Sequence, residues 1–143
     1  MTFGKAISKK DKTLNRQHGQ FKFDDLSHQI IGCAIDVHNE LGPGLLESSY
    51  ENCLCYELSK MEIEFQRQVS LPIVYKKIRF NCGYTIDILV QDKIIVELKS
   101  VENILSVHEA QILTYLKLAK AKIGLLINFN VQQLKNGIKR FVL

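Results

Sequence analysis

Residues 86–99 read IDILVQDKIIVELK, and this stretch decides the fold. Apolar, mostly β-branched residues fill both halves and three polar residues separate them, so the stretch predicts two strands joined by a tight turn. With residues 91–93 in the turn, Val90 pairs with Ile94. Side chains alternate along each strand, which gives the hairpin one purely apolar face that packs the core. The opposite face carries polar residues and is the candidate functional site.

This polar face brings two acids together. The register places Asp87 directly opposite Glu97, and opposite residues on paired strands have Cβ atoms roughly 4.5–5.5 Å apart. Carboxylates this close repel each other unless a cation lies between them. A divalent cation fills that place, and Lys99 returns to the same face two residues after Glu97. Two acids and a lysine on one sheet face suit metal-assisted attack on a phosphodiester.

The two acids and a neighbouring carbonyl form a candidate metal site. Hard cations such as Mg²⁺ prefer oxygen ligands and keep several waters. We therefore expect Asp87, Glu97 and the backbone carbonyl of Leu98 to bind the metal and to leave positions for water and a substrate phosphate. For Lys99 we expect one of two roles, polarising the attacking water or stabilising charge on the phosphoryl oxygens. The alternative interpretation is a solvated sheet surface.

A predicted helix before the hairpin adds a third acid. Glu47 shares a helical stripe with apolar residues, so we expect its carboxylate to face the core or a cleft. It is then a candidate metal ligand, either directly or through a water. The alternative is that Glu47 only stabilises the helix N-terminus, where negative charge is favourable. The apolar members of the stripe are Tyr50, Leu54, Leu58 and Met61. We expect the helix to end at about Met61.

Further polar candidates lie on two other predicted helices. Gln111 and Tyr115 fall on one helix face together with His108. We expect Gln111 to orient a water or a phosphate and Tyr115 to form a hydrogen bond near Lys99. The alternative is a solvated helix face with a half-buried tyrosine. His38 lies on an apolar helix face, which by itself favours a hydrogen-bonded core histidine over a metal ligand.

The first helix is bounded by clear signals. Asp24 or Asp25 is the expected N-cap, the helix ends at about Leu41, and Gly42-Pro43-Gly44 breaks it. The predicted buried stripe consists of Ile31, Ala34, His38 and Leu41, with Ile30 and Val37 beside it.

The other elements complete an α/β architecture around a mixed sheet. A helix is predicted over 106–120, with Ser106 as N-cap and Glu109 completing a capping box. Pro72 indicates an edge strand or a bulge. Strands are predicted over 68–80, 83–90, 94–99, 123–129 and 137–143.

The composition is that of an ordinary globular chain, for which we expect one domain. Apolar residues make up 46% and charged residues 24% of the sequence. No apolar run approaches the roughly 20 residues that span a bilayer, and the N-terminus has no signal-peptide core. The four cysteines form no CxxC pair, which favours reduced thiols. We therefore expect a cytoplasmic protein with no membrane contact.

The net charge of +4 belongs to the N-terminus. Residues 1–22 hold six lysine and arginine residues against Asp11 alone, so the remainder of the chain carries a net charge of −1. We interpret residues 1–22 as a flexible basic tail and residues 23–143 as a single domain. The tail is either a solvating extension or a weak, salt-sensitive phosphate contact.

Four motifs follow one another between about residue 26 and the C-terminus: a GxxExxY segment, an aspartate, a Glu-x-Lys triplet and a QxxxY segment. Residues 44–50, GLLESSY, have the spacing GxxExxY. Asp87 followed by Glu97-Leu98-Lys99 has the form of a nuclease signature, and residues 111–115, QILTY, resemble the QxxxY motif of RecB-like and Cas4-like nucleases. Together these motifs resemble the PD-(D/E)xK nuclease superfamily and, more narrowly, the GxxExxY protein family within it.

The resemblance implies a restriction-endonuclease-like core, a mixed central sheet flanked by helices in the order α-α-β-β-β-α-β-β. It implies that Asp87 and Glu97 bind Mg²⁺ or Mn²⁺ and that Lys99 assists the attack of water. It also makes His38 a candidate ligand, because a histidine precedes the first motif in some RecB-like nucleases. The implied catalytic set is Glu47, Asp87, Glu97, Lys99, Gln111 and Tyr115.

Three functions remain open from the sequence. The first is a metal-dependent nuclease acting on DNA. The second is a non-catalytic module that keeps the nuclease fold to bind nucleic acid or protein, and the third is hydrolysis of a smaller phosphate ester. Since the domain is neutral to acidic, a nuclease of this size is expected to act on a special end, a flap or a single strand, or to rely on a protein partner or on dimerisation.

Overall fold

A five-stranded mixed sheet lies at the centre of the residues that the computed structural model describes, 22–143, with side chains from residue 25 onward. The described helices are α1 (Lys22–Leu41), α2 (Glu47–Lys60) and α3 (Ser106–Ala119), with a short 3₁₀ helix at Leu134–Gly137. The described strands are β1 (Phe65–Ser70), β2 (Ile73–Tyr75), β3 (Ile78–Phe80), β4 (Thr85–Val90), β5 (Ile94–Lys99), β6 (Ile123–Asn128) and β7 (Ile138–Val142). Apart from Lys22, the predicted basic tail lies outside the described residues.

The sheet has the strand order β1-β4-β5-β6-β7, and β2 and β3 form a separate two-stranded sheet. The pairs β1–β4, β4–β5 and β6–β7 are antiparallel, whereas β5 and β6 are parallel. A parallel pair needs a crossover connection, and α3 supplies it. Val90 pairs with Ile94, as predicted. The predicted α/β architecture, a mixed sheet flanked by helices, is confirmed.

The sheet separates two hydrophobic clusters. One face packs against α1 and α2 through residues such as Ile88 and Val96. The other face packs against α3 and buries Ile95 completely. The prediction of one purely apolar and one polar face is therefore wrong, because α3 covers most of the second face and only the end carrying Asp87 and Glu97 is polar. Ile86 packs into the cluster under α3, although Ile88 belongs to the opposite cluster.

Helix α1 ends at Leu41 as predicted, but its start and its buried face differ. Both Asp24 and Asp25 lie inside the helix rather than at its N-cap. Ile31 is only half-buried and Leu41 is exposed. The buried face is therefore centred nearer to Ile30 and Val37, which were predicted to lie beside the stripe, while Ala34 and His38 are buried as predicted. The buried face consists of Leu26, Ser27, Ile30, Cys33, Ala34, Val37 and His38.

The start of α3 also differs from the prediction. The N-cap is Leu105, whose backbone N–H donates to His108 Nδ1 at 3.0 Å. Ser106 is the first helical residue, and Glu109 forms an ion pair with Lys139 instead of a capping box. His108 thus has a structural contact at the helix N-terminus.

The predicted strand over 68–80 is divided. β1 is an edge strand, as Pro72 suggested, but Pro72 itself lies between β1 and β2. The chain then forms the small β2–β3 hairpin before it returns to the sheet. The predicted final strands are confirmed, with β6 buried throughout. None of the helices within residues 22–143 has the length and apolar character needed to cross a membrane.

The turn between α1 and α2 is held by a buried tyrosine. Gly42 has a φ of +69°, which ends α1 without the steric cost that a side chain would bring. The Tyr50 hydroxyl donates to Gly42 O at 2.6 Å and accepts the Leu45 N–H at 3.1 Å. Its ring stacks on Phe129 with centroids 4.3 Å apart. Ser100 Oγ donates to Leu45 O at 2.6 Å, so the turn is fixed beside the end of β5.

Tyr50→Phe is expected to destabilise the fold by about 1–2 kcal/mol, because it removes both hydrogen bonds from the turn while keeping the ring contact. Urea denaturation followed by circular dichroism measures this loss. Tyr56→Phe is the matched control, since Tyr56 is 63% exposed on the same helix. Equal stability of the two variants would show that water replaces the Tyr50 hydroxyl without cost.

Candidate functional site

Asp87 and Glu97 interlock where β4 and β5 separate. The last paired residues on this side are Ile88 and Val96. Beyond them, the Asp87 backbone N–H donates to Glu97 Oε2 at 2.8 Å, and the Leu98 N–H donates to Asp87 Oδ2 at 2.9 Å. Each acid therefore binds the backbone of the other strand. The structure brings the two predicted acids together at one end of the sheet.

Burial makes this pair electrostatically costly. Glu97 is only 6% exposed. Its burial, followed by the charge of Asp87, raises the pKa of Glu97 to about 8. Burial also raises the pKa of Asp87. Glu97 Oε1 makes no hydrogen bond to residues 22–143. A buried carboxylate oxygen without a partner beside a second acid is suited to a bound cation.

The oxygen atoms at this point fit a hard divalent cation. An extended residue directs its N–H and C=O to the same side, so the Leu98 carbonyl lies on the side of Asp87, which its N–H contacts. Two carboxylates and a carbonyl are ligands that Mg²⁺ and Mn²⁺ accept. Within residues 22–143 no three His, Cys, Asp or Glu side chains form a metal cluster by themselves. A cation held by the two acids would therefore need the carbonyl and waters to complete its coordination, as is usual for Mg²⁺.

Lys99 supplies a cation at the same end of β5. Its side chain is half-buried and makes no hydrogen bond or ion pair within the described part of the chain. Its charge nevertheless lowers the pKa of Glu97, against the larger effects of burial and Asp87. Lys99 is therefore close to the acids and has an ammonium group available for another partner.

Helix α3 adds a polar pair to the site. Gln111 Nε2 donates to the Tyr115 hydroxyl at 3.2 Å. Tyr115 is 5% exposed, so it is buried rather than half-buried. Burial, followed by the charge of Glu97 and smaller contributions from Tyr84 and Asp87, raises the pKa of Tyr115. The predicted pair thus lies beside the acids.

Sequence reasoning missed a second layer around Asp87. Glu51 is 8% exposed, and its Oε2 accepts two hydrogen bonds from Arg67, at 3.0 Å from Nε and 2.8 Å from Nη2. Gln68 Nε2 donates to Glu51 Oε1 at 2.9 Å and approaches Asp87 Oδ1 at 3.4 Å. Gln68 has a φ of +48°, a left-handed conformation that is rare inside a strand. Together, Glu51, Arg67 and Gln68 connect α2 and β1 to Asp87.

Comparison with known protein families shows to which superfamily the chain belongs. The model of the PD-(D/E)XK nuclease superfamily matches residues 24–141, which is most of the chain. The chain belongs to the PD-(D/E)XK nuclease superfamily. No curated protein and no solved structure matches it. The membership indicates a restriction-endonuclease-like fold, a nuclease-type function and interaction with nucleic acid, and nucleases of this superfamily generally use divalent metal ions.

Glu47 and His38 are the remaining predicted site residues of this PD-(D/E)XK domain. Glu47 is the first residue of α2 and is exposed, so the prediction that it faces the core or a cleft is wrong. Its charge is nevertheless one of the smaller causes that raise the pKa of Asp87, after burial and Glu51. His38 is buried, and its Nε2 lies 2.7 Å from Val131 O. This contact matches the core histidine that its helix face suggested.

The helical spacing in the sequence could have predicted that Glu51 is buried. Glu51, Leu54 and Leu58 have the same helical spacing as the predicted stripe, and all three are buried. Glu47 was preferred because it begins the stripe and is the acid of the GxxExxY spacing. The partner that permits burial of Glu51 is Arg67, which lies on another element and leaves no local trace.

Proposed function

We propose that this chain is a divalent-metal-dependent nuclease that hydrolyses DNA phosphodiester bonds. The observation that supports this proposal is the interlocked pair of Asp87 and Glu97, with Lys99 nearby. In this pair Glu97 Oε1 is buried and has no hydrogen-bond partner within the described residues. Asp87, Glu97 and the Leu98 carbonyl would hold Mg²⁺ or Mn²⁺. A bound cation would neutralise charge on the phosphate and favour ionisation of water.

The remaining residues of the proposed site act on substrate and water. Lys99 orients the attacking water or stabilises the non-bridging phosphate oxygens, for which its ammonium group is available. Gln111, held by Tyr115, presents an amide to a water or a phosphate. Glu47, exposed at the α2 N-terminus, acts on the metal directly or through a water. In this proposal His38 stabilises the fold and does not bind the metal.

The proposal includes the GxxExxY branch of the superfamily. In this motif Gly44 has a φ of +98° and Tyr50 fixes the turn through two hydrogen bonds. The motif thereby holds the start of α2 next to the end of β5, where the acids and Lys99 lie. Its glycine and tyrosine are explained by this architecture, and its acid by proximity to Asp87.

Cleavage of defined DNA substrates tests the proposed function. Linear, nicked, circular and single-stranded DNA are incubated with the full chain and Mg²⁺ or Mn²⁺. Lys99→Ala is expected to lower the cleavage rate about a hundredfold, as for removal of one charge-stabilising donor. Lys122→Ala is the matched control, because Lys122 is exposed and precedes β6 at the opposite end of the sheet.

Two outcomes would contradict the nuclease. Equal cleavage by the wild type and Lys99→Ala would show that a contaminant cleaves the DNA. No cleavage of any substrate, together with no Mn²⁺ binding in calorimetry, would favour the alternative of a binding module that retains the nuclease fold.

A further inference from the structure

The β2–β3 hairpin carries an unusual exposed surface. Residues 74–84 are all exposed. The pairs Ile73–Phe80 and Tyr75–Ile78 place these four side chains on one face of the hairpin. Three of them are large and open to solvent, with Tyr75 at 60%, Ile78 at 57% and Phe80 at 45%. A ribbon of this size cannot bury its own apolar face, so the surface is available to a partner.

All the charged side chains of the same hairpin are basic. Residues 65–86 contain no Asp or Glu. Arg67 is already paired with Glu51, whereas Lys76, Lys77 and Arg79 are exposed on the hairpin. Lys76 Nζ lies 5.5 Å from the centroid of the Tyr75 ring. Since the domain outside the tail has a net negative charge, this local excess of cations indicates a polyanionic partner.

The turn of the hairpin uses lysines where local stability favours other residues. Lys76 and Lys77 have φ values of +49° and +70°. They form the two-residue connection between the paired Tyr75 and Ile78. Positive φ at both positions favours Asn-Gly, whereas lysine is strained there. The conformation of the turn therefore does not account for the two lysines.

The hairpin projects from the end of the sheet that bears the proposed site. The Leu71 N–H donates to Tyr84 O at 2.9 Å, which extends the β1–β4 pairing toward the hairpin. The Tyr84 ring is 43% exposed and meets the Tyr115 ring edge-on with centroids 6.3 Å apart. Tyr84 thus lies between the hairpin and the Gln111–Tyr115 pair beside the acids.

We propose that this hairpin binds an unpaired DNA strand and directs it to the Asp87–Glu97 site, an inference that rests on the proposed nuclease function. Lys76 and Lys77 in the turn contact phosphates, while Tyr75 and Phe80 stack on bases. Stacking requires bases that are not already paired, so the geometry favours a single strand over a duplex. A second copy of the chain is disfavoured as the partner because it would bring like charges together.

The test compares binding of a fluorescent single-stranded oligonucleotide with binding of its duplex, by anisotropy in EDTA so that no cleavage occurs. All variants are made in the full chain, so the basic N-terminus contributes equally. Lys76→Asn with Lys77→Gly is the central variant, because Asn-Gly suits the turn and the melting temperature should hold or rise. The matched control is Lys120→Asn with Lys122→Asn, which removes the same charge at the opposite end of the sheet.

The turn variant is expected to bind the single strand about tenfold more weakly. Its salt dependence should also fall, with the slope of log K against log salt smaller by about 1.4 for two lost phosphate contacts. Tyr75→Thr with Phe80→Thr is expected to weaken single-strand binding about tenfold with little change in that slope. The lysine control should bind as the wild type does.

Several results would overturn the inference. They are unchanged binding by the turn variant, equal losses in the turn variant and the lysine control, and a duplex that depends on the hairpin as strongly as the single strand does. A dimer that dissociates in Tyr75→Thr with Phe80→Thr would show that the surface joins two copies. Cleavage that does not depend on the hairpin would refute only its proposed role in binding the strand. Binding that depends on the hairpin, without cleavage of any substrate, would refute only the proposed nuclease function.

Discussion

Glu97→Gln is expected to abolish DNA cleavage and, at the same time, to stabilise the metal-free protein. The amide keeps an oxygen that can accept the Asp87 N–H, and its NH₂ group replaces an oxygen that has no partner. The charge that repels Asp87 and that would bind the cation is removed. We expect a loss of cleavage of at least about 10³-fold and a gain of about 1–3 kcal/mol in the free energy of unfolding without metal.

The pH dependence of this gain has a defined sign. Burial, then Asp87, raises the pKa of Glu97 from its ordinary 4.5 to about 8. The folded state therefore takes up a proton more readily than the unfolded state, and the resulting stability is fully present below pH 4.5. It is lost progressively as the pH rises to about 8. The advantage of Glu97→Gln in EDTA should grow over this interval and then level off.

Melting temperatures measured in EDTA between pH 4.5 and 9 check the gain in stability. DNA cleavage assays and Mn²⁺ titration calorimetry check the loss of activity and of metal binding. Glu40→Gln, at an exposed position of α1, is the matched control and should change none of these quantities. A variant that melts below the wild type at pH 8 would show that the Glu97 charge is compensated in the metal-free protein. A variant that still binds Mn²⁺ normally would remove Glu97 from the metal site.

The sequence predicted the β4–β5 hairpin but not the packing of α3 against it. The hairpin depends on residues close together in the chain, whereas the packing depends on distant ones. Register is fixed by the two-residue alternation and by the short turn, both of which are local, so Val90 was correctly paired with Ile94. Which sheet face a helix covers depends on the crossover from β5 to β6, which no local pattern specifies. The burial of Ile95 under α3 was missed for that reason.

The same distinction applies to the site. Asp87, Glu97 and Lys99 lie on one hairpin, and their proximity follows from strand geometry. Glu51 was not identified from the sequence, because the guanidinium that neutralises it lies on β1. An ion pair between distant elements, such as Glu51 with Arg67, therefore cannot be predicted from the sequence. This holds even where helical spacing indicates that one of the two residues is buried.

Arg67→Met is expected to cause the largest loss of stability among these variants, because it leaves the buried Glu51 carboxylate unpaired. Breaking a fully buried ion pair costs about 3–5 kcal/mol. The Arg67 side chain is 41% exposed and the Glu51 side chain 10%, so water screens one end of the pair. We therefore expect a loss of about 2 kcal/mol in the free energy of unfolding, measured by urea denaturation in EDTA.

The double variant Glu51→Gln with Arg67→Met separates the cost of the unpaired charge from the loss of packing. Without the buried charge, most of the stability lost in Arg67→Met should return, since replacing both partners of a buried pair is often close to neutral. Gln68 contacts both Glu51 and Asp87, so Arg67→Met should also slow cleavage about tenfold by disturbing Asp87. If the double variant is as unstable as the single one, packing by Arg67 rather than neutralisation of Glu51 supports this layer of the site.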